Sequence, residues 1–516
     1  MPLPNLNMHM TYALPARSRG ILVLVFVLHL ALGAALGLSV DEAHYALYAA
    51  HPALSYFDHP PLVGWIQWPL VALGAPTALL RLLPGLLWLG TMVLVYRVAL
   101  RLGSADSLGR RGAVWALLAL LLAPLMHILG IGLLPDTLLM FWSAALMLQT
   151  LRMMEPGQAQ QLRSWLLLGA LLGLAGLSKY TAIFTAAAVA SCLLWAHGLR
   201  LLRQPGLWLA LALALLMASP VAIWNAQNQW VSLSYQAKHG AGSTWQGLNL
   251  LRFLLVQLLA YGPLLFWGLL GVRLVPSTQR VLLAFFAIPF LVLAWLSGGG
   301  SSLPHWTAPA WVALAPFAGH GLARSWNARR AWSMRGLALV QTLACVALPA
   351  LMLSGGMPLL AGRAASAQSS DAPNPFADLH GWDGAGARAR ALAAANGLDA
   401  VAVQNWTLAS RLGWYARPLK VHVLEDRFDQ FDLWAGKLPV GGSALLVDWS
   451  QLPYETPLGE HGFAQCTWLE RREVQRLGYA LSHFDFYACS GWSGTPQPHL
   501  RSAPAQLPPP AAPAQP

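Results

Sequence analysis

Long apolar runs separated by short polar segments occupy most of the first 354 positions of the chain. A bilayer core about 30 Å thick is crossed by about 20 apolar residues in a helix. The first run is interpreted as a membrane span, because it lacks a convincing small-residue cleavage site and further apolar runs follow it. The pattern predicts eleven spans, at 20–38, 78–97, 112–132, 137–151, 164–178, 180–197, 207–224, 253–272, 281–297, 307–323 and 336–354.

The pattern changes after the last predicted span. Residues 355–370 are a Gly/Ala/Ser linker, and residues 371–500 contain 14 of the 20 acidic residues, so a small water-soluble α/β domain is expected there. The Pro/Ala-rich tail, 501–516, is predicted to be disordered. Short apolar runs predict strands at 399–404, 420–424 and 444–448 and a helix at 385–397.

Composition and charge agree with a membrane protein. Hydrophobic residues make up 56% of the chain and charged residues 10%, whereas ordinary soluble domains carry about 25% charged residues. The net charge of +12 does not indicate nucleic-acid binding, because many of the bases lie in short loops between spans. Sixteen arginines share one set of loops, which predicts a cytoplasmic N-terminus and an external C-terminal domain. The opposite set, up to residue 354, has only Arg81, Lys179, Lys238 and Arg252.

Two of the four cysteines lie in the predicted external domain. Cys466 and Cys489 could form a disulfide, since an external compartment is oxidising; two unrelated thiols are the alternative. The other two, Cys192 and Cys345, lie inside predicted spans and are interpreted as packing residues.

Acidic residues before position 355 are few, and four of the six are predicted at the outer face: Asp41, Glu42, Asp58 and Asp136. Ionisable groups near hydrocarbon are costly, so such a group of acids indicates one functional site. Asp41 could be a general base that takes the proton of an attacking hydroxyl, or it could only cap a helix. In a helix that begins at Asp41, Tyr45 follows at i+4 on the same face.

The segment from Tyr56 to Pro61 places Asp58 and His59 before two prolines. The prolines restrict the backbone and would hold both side chains in place. Such a pair could bind phosphate or orient a partner residue, and a plain surface turn is the alternative. No cofactor is firmly predicted; a divalent metal ion at Asp58 and His59 is a further alternative, although tight ligand spacing is absent.

Bases at the outer face could neutralise a phosphate leaving group. The candidates are Lys179, His59, Lys238 and Arg252, with His239 and His305 near them. For the lysines and Arg252 the alternative is a side chain that reaches from the membrane to water. For His305, beside Trp306, it is packing at the membrane interface.

No phosphate-binding loop, dinucleotide fingerprint or nucleophile elbow stands between a credible strand and helix. The predicted cytoplasmic loops are also too short for a nucleotide-binding domain. An activated substrate must therefore arrive in another form, and an outer-face site beside the bilayer suits a group carried on a lipid.

The motifs, taken together and in this order, resemble bacterial glycosyltransferase family 39 over about residues 20–325. This family includes the dolichyl-phosphate-mannose protein mannosyltransferases and the lipid A aminoarabinose transferases. The motifs are DEAHY, YFDHPPL, LLPD, GLSKYTAIF, WNAQNQWVSLSYQAKHG and PHWTAPAW. The resemblance implies a GT-C fold in residues 1–354, with a first periplasmic loop at 39–77. It also implies inverting transfer of a sugar from a polyprenyl-phosphate donor to a lipid or glycan acceptor.

The same resemblance assigns roles to individual residues. It implies catalytic roles for Asp41, Glu42 and Asp136, and a phosphate-binding role for Lys179. His59 stands where the aminoarabinose transferases have a lysine near the donor phosphate. The pocket for donor and acceptor would include Tyr45, Tyr56, Asp58, His239 and His305. In a bacterium the carrier would be undecaprenyl phosphate and the location the inner membrane.

Two other classes of protein remain open at this point. A flippase or transporter of lipid-linked sugars would also have many spans, but transporters usually place polar groups at the midplane of repeat-related helices. No such repeat is visible in the sequence. A structural or sensor subunit would not need the acidic residues at the outer face.

Overall fold

A computed structural model describes residues 13–103, 107–242, 244–300, 302–326, 328–356 and 374–498, except for the side chains of 107, 239–241 and 328–330. Most of the predicted linker and the whole predicted tail lie outside these residues. The chain forms a helical membrane part, followed by a small domain of helices and strands.

The membrane part is built from helices of very different length. They are α1 (Ala16–Ala35), α2 (Val40–Ala50), α3 (Leu62–Trp65), α4 (Trp68–Ala72), α5 (Thr77–Leu80), α6 (Leu82–Leu102), α7 (Ser107–Leu121), α8 (Pro124–Ile131), α9 (Pro135–Met153), α10 (Leu162–Ser178), α11 (Ala182–His197), α12 (Pro205–Gln227), α13 (Val231–Ala241), α14 (Gly247–Tyr261), α15 (Trp267–Gly271), α16 (Ala284–Ser297), α17 (Ala308–Ser325) and α18 (Ala328–Ser354).

The structure contains many apolar helices, as predicted, but it does not confirm the number eleven. Among the described residues, six helices are long and apolar enough to cross a membrane, or up to eight if each of two bent pairs is one span. The bend is 74° between Leu108–Leu121 and Pro124–Ile131, and 106° between Gly247–Tyr261 and Pro263–Leu274. The protein is therefore a multi-pass membrane protein with fewer regular spans than the hydrophobic pattern predicts.

Three of the predicted spans form helices that do not meet this test of length and composition: α9, α10 and α17. Helix α10 is apolar but has only 17 residues. Helix α17 is buried from Ala308 to Ala323 and contains Pro316 and His320. A helix surrounded by other helices need not be uniformly apolar, because small and polar residues there contact protein and not lipid.

The C-terminal domain has one mixed five-stranded sheet with the order β2-β1-β3-β5-β4. Strands β1 and β2 are parallel, as are β1 and β3, whereas β5 runs antiparallel to both β3 and β4. The predicted strands and the predicted helix are confirmed within a few residues. The elements are α19 (Trp382–Ala395), β1 (Ala400–Val403), α20 (Trp406–Tyr415), β2 (Lys420–Val423), α21 (Gln430–Trp434), β3 (Ala444–Trp449), β4 (Phe463–Arg476) and β5 (Tyr479–Trp492).

The long hairpin of β4 and β5 was not predicted from the sequence. The sequence of β4 has no continuous apolar run, because many of its side chains are exposed to solvent and need not be apolar. Its two-residue turn, Leu477 and Gly478, has a positive φ at both positions, as the tightest hairpin turns require. Cys466 and Cys489 lie opposite each other in this hairpin and form a disulfide, with Cα atoms 4.1 Å apart.

The C-terminal domain packs directly on the first loop of the membrane part. Leu47 of α2 belongs to the same apolar core as Trp382, Leu408 and Phe431 of the domain. At the start of α2, the backbone N–H of Leu38 donates to the Tyr415 hydroxyl at 2.8 Å. The domain and α2 therefore share one core, and this contact brings C-terminal side chains beside the predicted site.

Candidate active site

A buried ion pair anchors the first turn of α2. Ser39 and Glu42 form a capping box, which satisfies backbone donors at the start of the helix. Arg81 donates to both Glu42 oxygens at 2.7 and 2.8 Å, and also to the carbonyls of Gly33, Leu36 and Gly37. Since the Glu42 carboxylate is occupied by these donors, we interpret Glu42 as a positioning residue, in place of the catalytic role that the resemblance implied.

Asp41, the neighbouring residue, has a different environment. Its side chain is half-buried, and the described residues provide it with no hydrogen-bond donor. Its charge interacts with His305, His44, Asp136 and Lys179. Burial raises the pKa of the Asp41 carboxyl, although the nearby bases oppose this shift. Asp41 is thus a carboxylate that the described residues leave without a hydrogen-bond partner, in a group of charged residues, so it is available to act as a general base.

Asp136 and Lys179 form a second buried ion pair, between the start of α9 and the end of α10. The Lys179 Nζ lies 2.7 Å from both Asp136 oxygens. His305 Nε2 is 3.7 Å from Asp136, and the Lys179 ammonium lies 5.2 Å from the ring centroid of Trp306. The structure therefore brings together three residues that the sequence predicted for the site, although Lys179 is already paired with a carboxylate.

His44 connects Asp58 to the C-terminal domain. Its Nε2 lies 2.9 Å from the Asp58 carboxylate, and its Nδ1 lies 3.0 Å from the Ser410 hydroxyl in α20. Although burial opposes the shift, the hydrogen bond and charge of His44 hold the pKa of Asp58 below its usual range. His44 lies within the DEAHY motif, but the sequence could not identify a partner that is 366 positions away.

The contact between His44 and Ser410 leads to a first prediction. Ser410→Ala should lower the free energy of unfolding by about 1–3 kcal/mol, because the buried His44 Nδ1 loses its partner. Thermal unfolding of the purified protein in detergent measures this. Ser482→Ala is the control, since that buried hydroxyl has no hydrogen-bond partner among the described residues. Equal stability of the two variants would show that the contact contributes nothing.

His59 lies next to Asp58 but cannot provide a positive charge in the free protein. Burial, together with the charge of Lys179, lowers the pKa of His59 to about 3. Its ring lies 5.7 Å from that of Tyr45, and its buried Nδ1 has no hydrogen-bond partner within the part of the chain that the structure describes. His59 could therefore offer one N–H to a ligand, but not a charge.

Tyr56 serves the backbone of the first loop and does not face the charged residues. Its hydroxyl donates to the carbonyls of Tyr48 and His51 and accepts from the N–H of Ala53. Its ring stacks on that of Tyr48, with centroids 3.6 Å apart. Tyr45 is buried, and its ring lies 5.8 Å from that of His44 and 5.7 Å from that of His59, so it remains in the site.

Lys238 and Arg252 do not join this group of residues. Both side chains are exposed, Lys238 on α13 and Arg252 on α14, and neither makes a contact with the described site residues. The His239 side chain lies outside the described residues. No three His, Cys, Asp or Glu side chains come together as metal ligands within the described ranges, Asp58 and His59 included.

Residues 425–434 of the C-terminal domain, here called the covering segment, lie over the Asp58 turn. Gln430 accepts the backbone N–H of Phe57 at 2.8 Å, and Phe428 lies 5.5 Å from the Phe57 ring. On the other side of the turn, Gln236 of α13 donates to the Asp58 carbonyl at 2.5 Å. The turn is therefore held between α13 and the C-terminal domain.

Asp429 in the covering segment leads to a prediction about pH. Burial and the neighbouring Asp432 and Glu425 raise its pKa from 3.8 to about 8. A carboxyl with a raised folded-state pKa stabilises the fold fully below about pH 4, and this contribution is lost as pH rises through about 8. We expect Asp429→Asn to unfold at a higher temperature than the native protein at pH 8.5, but not at pH 4. Asp399→Asn, an exposed acid of the same domain, should show no such difference, and identical pH profiles of both variants would contradict the prediction.

Comparisons with known proteins agree with the predicted family resemblance and with the fold. Residues 58–224 match the family model described as dolichyl-phosphate-mannose-protein mannosyltransferase. The lipid A galacturonosyltransferase RgtD of Rhizobium johnstonii is 25% identical over 285 residues, which are 53% of this chain and 58% of RgtD. That match therefore spans little more than half of the relative's length.

Two crystal structures of ArnT from Cupriavidus metallidurans have a similar fold. The form bound to undecaprenyl phosphate has a TM-score of 0.58 and 17% identity, over 91% of this chain and 97% of that chain. The apo form has a TM-score of 0.56 and 16% identity, over 94% of this chain and 100% of that chain. The protein is thus an integral membrane protein with an ArnT-like GT-C fold and a small C-terminal sheet domain. Its resemblance to glycosyltransferase family 39, predicted from the motifs, is confirmed by these matches.

Proposed function

We propose that this protein is an integral membrane glycosyltransferase that moves a sugar from a polyprenyl-phosphate donor to a lipid or glycan acceptor, with inversion. The observation that carries this proposal is the half-buried Asp41 carboxylate, without a donor among the described residues, beside the Asp136, Lys179 and His305 group. The names of the relatives support it, since RgtD is a galacturonosyltransferase and one ArnT structure contains undecaprenyl phosphate.

The reaction needs few groups. Asp41 takes the proton of the acceptor hydroxyl, and the acceptor oxygen attacks the anomeric carbon on the face opposite the phosphate. The bond between that carbon and the phosphate oxygen breaks, and the polyprenyl phosphate leaves with the electron pair. Holding the two substrates together can contribute roughly 7–11 kcal/mol, and the base about 10²–10⁴-fold in rate.

The location of the reaction follows from the loop charges. Sixteen arginines in one set of predicted loops favour a cytoplasmic N-terminus. Asp41, Asp58 and Asp136 then lie at the periplasmic face of a bacterial inner membrane, where a lipid-linked donor is accessible without a nucleotide. The acceptor to test first is lipid A, because RgtD is described as acting on it. The sugar can be a hexose or a pentose derivative.

The test uses purified protein, radiolabelled polyprenyl-phosphate sugars and a cell-envelope extract. The expected result is that label leaves one of the carriers only when the protein is present, and the labelled product then identifies the acceptor. If no label moves from any carrier, but labelled carrier crosses reconstituted vesicles, the proposal is wrong and the protein is a transporter of lipid-linked sugars.

A further inference from the structure

Three buried bases, directly before α6, directly after α10 and in the C-terminal domain, are already paired with acids. Lys179 is bound to Asp136, and Arg81 to Glu42, at distances of 2.7–2.8 Å. In the C-terminal domain, the buried Arg411 pairs with Asp378. The free protein keeps His59 neutral, because burial lowers the pKa of its imidazole to about 3. A phosphate placed here needs a cation that is not already neutralised.

Arg427 of the covering segment is a base whose charge acts on Asp58 and Glu425 but which is not in a close ion pair with either of them. The described residues form no ion pair with it, and its buried Nε has no hydrogen-bond partner among them. Its guanidinium lies 5.7 Å from the ring centroid of Tyr235, and its charge lowers the pKa of Asp58. The Tyr235 ring lies 4.6 Å from Phe57, which directly precedes Asp58. Arg427 is therefore held over the Asp58 turn by contacts that leave part of its hydrogen-bonding capacity unused.

We propose that Arg427 binds the phosphate of the polyprenyl donor, together with the N–H of His59, so that the C-terminal domain completes the donor site. This inference rests on the proposed function. Arg427 Nε and His59 Nδ1 are buried nitrogens without hydrogen-bond partners among the described residues, and both residues interact electrostatically with Asp58. A guanidinium suits this role, because its planar donors match two phosphate oxygens at once.

The role of Arg427 grows during the reaction. The donor is a phosphodiester with one negative charge, and the departing polyprenyl phosphate is a monoester that takes the electrons of the broken bond. The added charge strengthens its attraction to the guanidinium, so Arg427 assists departure as well as binding. Lys179 cannot do this equally well, because Asp136 already neutralises it.

Titration of the purified full-length protein with undecaprenyl phosphate in detergent tests the inference, with the uncharged undecaprenol as comparison. The native protein should prefer the phosphate, and Arg427→Gln should weaken phosphate binding by about 10- to 100-fold, as expected for a lost charged hydrogen bond. Undecaprenol binding should not change. Arg427→Lys, which keeps the charge, should recover part of the affinity.

Arg417→Gln is the matched control. Arg417 belongs to the same domain, and its guanidinium carbon lies 3.6 Å from the ring centroid of Trp414. Its substitution should leave phosphate binding unchanged. Inorganic phosphate is added as a competitor. Because it lacks a lipid chain, it should displace undecaprenyl phosphate only weakly. Strong displacement would indicate a site for free anions and would overturn the inference.

The remaining outcomes separate this inference from the proposed function. If the native protein and Arg427→Gln prefer the phosphate equally, Arg427 is not a donor ligand, while the proposed function stands. If the native protein does not distinguish undecaprenyl phosphate from undecaprenol, both proposals fail. Circular dichroism and the unfolding temperature of each variant show whether the fold is intact, so a loss of binding can be assigned to the charge.

Discussion

Asp41→Asn should keep the protein folded and reduce sugar transfer by at least about 10²-fold. Asparagine has nearly the same shape as aspartate, but its amide cannot accept a proton from the acceptor hydroxyl. The loss of a positioned base is worth about 10²–10⁴-fold in rate. The fold should tolerate the change, because the described residues place no hydrogen-bond donor on the Asp41 carboxylate. The measurement is the initial rate of label transfer from the polyprenyl-phosphate sugar.

The control for this variant is Asp399→Asn, an exposed acid of the C-terminal domain. It should transfer sugar at the native rate. Asp41→Asn should also still bind undecaprenyl phosphate, because Asp41 is proposed to act on the acceptor. Full activity of Asp41→Asn would exclude Asp41 as the base, and loss of donor binding would place it in the donor site instead.

The pH dependence of transfer gives a further check on this role. Asp41 must be deprotonated to take a proton, and burial raises its pKa above the ordinary value of 3.8. Transfer should therefore decline on the acid side at a higher pH than an exposed aspartate would cause. That decline should be absent from the residual activity of Asp41→Asn.

The sequence predicts which acids gather, because the ends of spans on one side of a membrane lie at one depth. Asp136 begins one predicted span and Lys179 follows another on the same side, so the sequence places both at one depth. Their ion pair is seen only in the structure. The capping box of Ser39 and Glu42 is also readable from its spacing. The sequence does not show that Glu42 pairs with Arg81, because the two residues are 39 positions apart.

The sequence does not predict the contribution of the C-terminal domain. The domain appears separate in composition, yet Ser410 contacts His44 across 366 positions and Gln430 contacts Phe57 across 373. Such pairs have no local periodicity and depend on how two folded units pack. For Lys238 the sequence predicts a place in the site that the structure does not show. The residue lies in the predicted outer loop, but its side chain is exposed on α13 and does not contact the site residues.

Lys179→Met should lower both stability and transfer, by different mechanisms. Asp136 would remain buried and charged without its partner, and breaking a buried ion pair from one side typically costs about 3–5 kcal/mol. Transfer should fall further than the loss of folded protein explains, because the region between His305 and Asp41 would gain an unbalanced negative charge. Unfolding in detergent and the transfer rate per folded molecule measure the two effects separately.

The double variant Lys179→Met with Asp136→Asn distinguishes a structural pair from a functional one. Removing both charges should recover most of the stability, because no unpaired charge remains in the protein interior. Transfer should not recover if the pair sets the charge balance around Asp41 during the reaction. Lys437→Met, which removes an exposed lysine of the C-terminal domain, should change neither quantity. Recovery of stability and transfer together would show that the pair only holds α9 to α10, and the charge balance at Asp41 would then have to come from His305 and His44.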